Sequence, residues 1–119
     1  MAETPRLIAA STDLEDSGRG LRFQIDYRGQ SAPAFAVRYR GVVFGYLNRC
    51  RHVPIELDWN EAQFFGLGGH DLVCSTHGAV YSASSGSCLG GPCNGLPLVR
   101  LLLEERDNAI YYMGFADER

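Results

Sequence analysis

Two short segments carry the side chains best able to do chemistry: Cys50-Arg51-His52 and Cys74-Ser75-Thr76-His77, separated by residues 53–73. Each offers one thiolate and one imidazole, and two Cys with two His in close pairs is a metal-ligand pattern. A zinc ion would take all four, although a single residue between Cys50 and His52 is tight for two ligands of one ion. A centre of two irons and two bridging sulfides makes a different demand, because each iron needs two protein ligands. Where two imidazoles replace two thiolates on one of the irons, a pair that mixes Cys with His can send its thiolate to one iron and its imidazole to the other. Both pairs here are mixed in that way.

The rest of the chain must hold those pairs in place. Its 119 residues, 45% hydrophobic and 21% charged, suit one globular domain spanning residues 1–119. Net charge is −3 and every basic residue is Arg, so no basic face is available for nucleic acid or an anionic membrane surface. No apolar run reaches the roughly 20 residues that span a bilayer, and Met1 to Arg6 lacks a signal pattern. The expected compartment is cytoplasmic, where cysteines serve more often as ligands than in disulfides.

The pattern is that of strands. Arg6 to Ala10 is a short apolar run, and Leu21 to Tyr27 alternates apolar and polar residues with the period of a half-buried strand. Phe35–Tyr39 and Val42–Leu47 are aromatic and β-branched runs broken at Arg40-Gly41, which predicts a hairpin delivering the chain to Cys50. Ser11–Gly20 and Arg28–Pro33 read as turns. Glu56–Gln63 is a loop or one helical turn, with Trp59 as an anchor. Phe64–Leu67 resumes strand character, 68–71 turns, Leu72-Val73 leads into Cys74, and Ala79–Tyr81 leads away from His77. Each ligand pair therefore falls at the tip of a hairpin-like unit. Ser82 to Gly95 is turn-rich throughout, and Leu96–Leu103, a turn at Glu105–Asn108 and Ala109–Met113 form a last hairpin. The fold class is all-β, with a metal-binding subdomain at about 48–95 inserted in a larger sheet structure.

Cys50-Arg51-His52 together with Cys74-Ser75-Thr76-His77-Gly78 resembles the Rieske-type [2Fe–2S] proteins. The likeness continues in Tyr81 and in Gly86-Ser87-Cys88-Leu89-Gly90-Gly91-Pro92, which is similar to the family's proline loop covering the cluster. It covers the middle of the chain in detail. The resemblance implies an antiparallel β-sandwich or barrel with an inserted cluster-binding subdomain. It implies a Rieske [2Fe–2S] cofactor with Cys50 and Cys74 on the inner iron and His52 and His77 on the outer. Arg51, Val53, Pro54, Thr76, Gly78, Ala79, Tyr81, Gly91 and Pro92 would surround the cluster. Two ferric ions, two sulfides and two thiolates are neutral together, so adding an electron is easier than in a four-thiolate centre.

High-potential members carry an extra Cys in each loop, joined as a disulfide. The matching positions here, about Ile55 and Thr76, are not Cys. Ala79 stands where those members have a Ser that hydrogen-bonds a bridging sulfide, whereas Tyr81 matches a Tyr that can reach a cysteine sulfur. These departures imply a potential in the lower to middle part of the Rieske range. Cys88 and Cys93 could form a local disulfide or a second metal site, but read more simply as small buried thiols beside the proline loop. His70 is a turn residue.

No dinucleotide fingerprint and no second cofactor motif accompany the ligand pairs, so the chain reads as an electron carrier and not an enzyme. The resemblance implies a soluble, monomeric ferredoxin passing single electrons from a flavin reductase to a terminal oxygenase. A small redox-sensing or structural subunit of a larger oxidoreductase, or a zinc-stabilised binding module, are the alternatives.

Overall fold

The structure is a computed structural model describing residues 6–27, 29–48, 64–66, 69, 71–74, 78–91 and 97–115. Glu56–Gln63 with Trp59, read above as a loop or helical turn, lies outside the described residues. Six antiparallel strands form the main sheet: β1 (Arg6–Ala10), β2 (Leu21–Tyr27), β3 (Gln30–Tyr39), β4 (Val42–Leu47), β8 (Arg100–Arg106) and β9 (Ala109–Phe115). Their order is β1-β9-β8-β4-β3-β2. The outer strands approach each other, and the Arg6 guanidinium on β1 donates to the Gln24 carbonyl on β2 at 2.7 Å, so the sheet curls into a nearly closed barrel. A second sheet, ordered β5-β6-β7, is built from β5 (Asp71–Val73), β6 (Val80–Ser82) and β7 (Cys88–Gly90). It falls in sequence between β4 and β8, which pair with each other, so the metal-site segment is an insertion into the barrel.

Strand β3 shows why the two sheets pack. Its inner face carries Ala32, Ala34 and Ala36, which lie in the barrel cores with Leu47, Val99, Leu101 and Ile110. Its outer face carries Phe35 and Val37, which lie with Phe64, Leu72, Cys74, Ala79 and Tyr81 in a different core. Small residues inside leave room for the barrel filling, and large ones outside bury against the small sheet. Burial on both faces explains why the segment reads as an almost continuous apolar run. Phe35 stacks on Phe64 with ring centroids 3.9 Å apart, and each such ring removed from water contributes about 2–3 kcal/mol.

Strand limits differ from the sequence reading in several places, among them the last hairpin, whose first strand β8 starts at Arg100 and not at Leu96. Residues 30–33, read as turn, belong to β3 and pair with β2. Pro33 is tolerated because its carbonyl points past the end of β4, to the Asn48 amide at 2.8 Å, so the missing N–H breaks no bond to β2. The last turn is only Asp107-Asn108, both with positive φ (52° and 62°), as a two-residue hairpin turn following the twist of its strands requires. Phe64–Leu67 contributes one bridge, Phe65 to Leu72, and no longer strand among its described residues. Cys88–Gly90, inside the turn-rich stretch, is strand β7, because β6 offers it a hydrogen-bonding edge. Three residues are too few for any periodicity to reveal them.

Candidate metal centre

Cys74 stands at the end of β5, where the β5–β6 hairpin opens into the loop carrying His77. Its amide donates to the Ala79 carbonyl at 2.8 Å and its carbonyl accepts from the Gly78 amide at 2.9 Å. Gly78 has φ +79°, a conformation open to glycine at no steric cost. The loop is thus closed at its base by two backbone bonds, which fixes where Cys74 begins. Cys74 is fully buried and in no disulfide. It shares its core with Phe35, Phe64, Leu72 and Tyr81.

The other three predicted ligands, Cys50, His52 and His77, lie outside the described residues, as do Arg51, Val53, Pro54, Thr76 and Pro92 of the predicted surroundings. The approach to the first pair is described: β4 ends at Leu47, and Asn48, 1% exposed, is the one buried polar or charged side chain among the described residues. Its backbone is tied to Pro33, so the strand pair β3–β4 holds the chain firmly up to two residues before Cys50.

Gly78, Ala79, Tyr81 and Gly91 are brought together. Tyr81 is fully buried and sits mid-sheet, paired with Leu72 on one side and Cys88 on the other. Gly91, with φ +81°, lies against the second ligand loop so closely that a Cβ there would fall 2.8 Å from the Gly78 carbonyl oxygen and 2.9 Å from the Ala79 Cα. The segment predicted to cover the cluster therefore rests directly on the residues that follow His77. Cys88 departs from the expectation of a small buried thiol. It is only partly buried, because it lies at the edge of a three-stranded sheet, and it is disulfide-bonded.

Residues that anchor this subdomain escaped the sequence reading. The Tyr46 hydroxyl, buried on the outer face of β4, donates to the Ala83 carbonyl at 2.8 Å. Its ring fills the space a Cβ on Gly86 would occupy, 2.7 Å away. Burial pushes the Tyr46 phenol far above its ordinary value, with Arg100 opposing weakly, so the hydroxyl stays a donor. The available signal was the two-faced hydrophobicity of β3 and β4, which announces a second layer.

The described surroundings suit a sulfur-ligated centre. A thiolate in this apolar pocket would be costly without a metal to neutralise it, and a donor set of two thiolates and two imidazoles gives a two-iron centre no net charge when oxidised. Low net charge is what an apolar shell tolerates.

Comparison with known proteins agrees with this geometry. The family model described as the Rieske [2Fe–2S] domain matches residues 5–100. No curated protein sequence matches. Among solved structures, the ferredoxin of carbazole 1,9a-dioxygenase from Nocardioides aromaticivorans IC177 superposes with a TM-score of 0.71 at 20% identity, covering 94% of this chain and 99% of that one. A ferredoxin of Sphingomonas yanoikuyae B1 gives 0.69 at 17% identity, over 92% and 98%. The terminal oxygenase of carbazole 1,9a-dioxygenase from Novosphingobium sp. KA1 gives 0.73 at 18% identity, over 98% of this chain but 30% of that one. At these identities the likeness to the solved structures is one of fold, whereas the family model covers most of the sequence: the chain belongs to the Rieske [2Fe–2S] domain family.

Proposed function

We propose that this protein is a one-electron carrier, a Rieske-type ferredoxin that accepts electrons from a flavin reductase and delivers them to a terminal oxygenase. The observation that carries the reading is a fold matching whole ferredoxins end to end, in a chain whose sequence offers mixed Cys/His pairs of a type and spacing that suit the cluster for which the family is named. Cys50 and Cys74 would hold one iron, His52 and His77 the other, and the cluster would supply reversible one-electron chemistry. The chain's own contribution is positional. The bonds of Gly78 and Ala79 to Cys74 tie the base of the second loop, Gly91 packs against Gly78 and Ala79, and the apolar core holds Cys74 away from water. In this reading the protein acts as a component of a multi-component oxygenase. A cytoplasmic, monomeric protein is the simplest form of this reading.

Iron and acid-labile sulfide counts, visible absorption and low-temperature EPR of the reduced protein test the cofactor. Stopped-flow reoxidation by terminal oxygenases of ring-hydroxylating systems tests the role. A colourless, zinc-containing protein overturns the first part; a coloured, reducible protein that no oxygenase reoxidises overturns the second.

A further inference from the structure

A cavity of about 270 Å³ lies between the loop before β2 and the short segment bridged to β5, lined by Ser17, Gly18, Arg19, Phe64, Phe65 and Gly66. None of these residues belongs to the predicted ligand set or its surroundings. Backbone bonds fix both walls. On one side the Ser17 amide donates to the Arg38 carbonyl at 2.8 Å and the Gly18 amide to the Glu15 carbonyl at 3.0 Å. The Ser17 hydroxyl donates to the Gly69 carbonyl at 2.5 Å. On the other side the Val73 amide donates to the Phe64 carbonyl and the Gly66 amide to the Asp71 carbonyl, each at 2.9 Å, around the bridge from Phe65 to Leu72. The Phe64 ring is held between its stack on Phe35 and the backbone of Gly20, where a Cβ would fall 2.7 Å from it. The cavity is therefore preformed, and a preformed site loses little affinity to ordering its walls.

Its lining is two-sided in chemistry. Phe64 and Phe65 supply aromatic walls, and Arg19, exposed to solvent, supplies a cation. The Arg19 side chain makes no hydrogen bond or ion pair among the described residues. Arg38, by contrast, is engaged by Glu105, and Arg40 lies over the Tyr39 ring, 5.3 Å from its centroid. An uncommitted guanidinium presents paired donors that match a carboxylate, and phenyl walls suit a flat apolar body. The volume falls just below the roughly 300–1,000 Å³ of sites for drug-sized ligands, which fits an occupant built on one ring. We propose that this cavity binds a small aromatic monocarboxylate, with its ring against Phe64 and Phe65 and its carboxylate on Arg19. A simple anion gains only the pairing with an exposed charge, which is weak in water, and a neutral ring gains only the walls. Glu15 opposes an anion here: its Oε1 lies 3.6 Å from where a Cβ on Gly18 would sit. The inference does not depend on the identity of the metal centre.

Isothermal titration of the full-length protein with benzoate is the test. Binding should saturate at one site per chain, and benzyl alcohol, acetate and inorganic phosphate should each bind more weakly by about tenfold or more. Arg19→Gln should weaken benzoate binding by about tenfold, the loss of one charge-assisted pair, and Arg19→Lys by less. Glu15→Gln should tighten it. Arg100→Gln, at an exposed arginine on β8, should leave it unchanged. Added benzoate should slow hydrogen exchange in peptides covering Ser17–Gly20 and Phe64–Gly66. Arg19 is exposed and unpaired among the described residues, so its variants should keep the wild-type circular dichroism and urea midpoint. Absence of saturable benzoate binding in the millimolar range overturns the proposal. So does equal binding of acetate or phosphate, an affinity that Arg19→Gln leaves unchanged, or protection confined to other segments.

Discussion

Gly91 offers the sharpest test of how the covering loop is seated. Replacing it with Ala carries two separable costs. The backbone is at φ +81°, where an L-residue with a Cβ is disfavoured by about 1–2 kcal/mol. The new Cβ would also lie 2.8 Å from the Gly78 oxygen and 2.9 Å from the Ala79 Cα. Both are backbone atoms of a loop held by the Cys74 bonds, so relief must come from the proline loop moving outward, and overpacking of this kind costs about 1–3 kcal/mol more. Gly41 is the control. It has φ +82°, but a Cβ added there would meet nothing within 4 Å. It lies in the β3–β4 turn, so Gly41→Ala bears the conformational cost alone. Urea unfolding should rank the variants wild type, Gly41→Ala, Gly91→Ala, with a gap of about 1–3 kcal/mol between the last two. Visible bleaching under a chelator should be accelerated only in Gly91→Ala. If the two variants lose colour at the same rate, the proline loop does not shield the centre by its contact with Gly78-Ala79.

Three further outcomes follow from the same geometry. Tyr46→Phe keeps the ring over Gly86 but leaves the buried Ala83 carbonyl without its donor, and should cost about 1–2 kcal/mol in urea unfolding; no change would mean that the hydroxyl does not fasten the subdomain to β4. The hydrogen bond from Arg38, at 2.6 Å, holds the Glu105 carboxyl below its ordinary range. Its contribution is present above the unfolded-state value and is lost as pH falls through the folded one, so Glu105→Gln should lose less stability than wild type between neutral and acid pH. Equal losses would refute the pairing. Cys74→Ser should abolish the iron–sulfur absorption while far-UV circular dichroism keeps its β signature, and a protein that retains full iron with Ser at this position would remove Cys74 from the ligand set.

Much of the architecture was legible because it depends on local pattern. The alternation of Leu21–Tyr27 became β2 residue for residue, Arg6–Ala10 became β1, and Arg40-Gly41 became a hairpin turn with both residues at positive φ. Those features rest on side-chain period and backbone sterics, which neighbours in sequence determine. Strand β7 and the docking of Tyr46 were not legible, since Cys88-Leu89-Gly90 becomes a strand only where β6 offers an edge, and Tyr46 finds Ala83 only once the small sheet is laid on the barrel.

The metal centre divides along the same line. Residue type and spacing in Cys50-x-His52 and Cys74-x-x-His77 by themselves pointed to the proposed donor set and to the class of cofactor it suits, because coordination chemistry depends on which atoms are offered in which order. Tertiary structure decided what surrounds one of those proposed donors: that Cys74 is sealed in an apolar core, that Gly91 bears on Gly78 and Ala79, and that Cys88 is bonded instead of being a spare thiol. Burial and close approach are relations between segments distant along the chain, and no period within either segment encodes them.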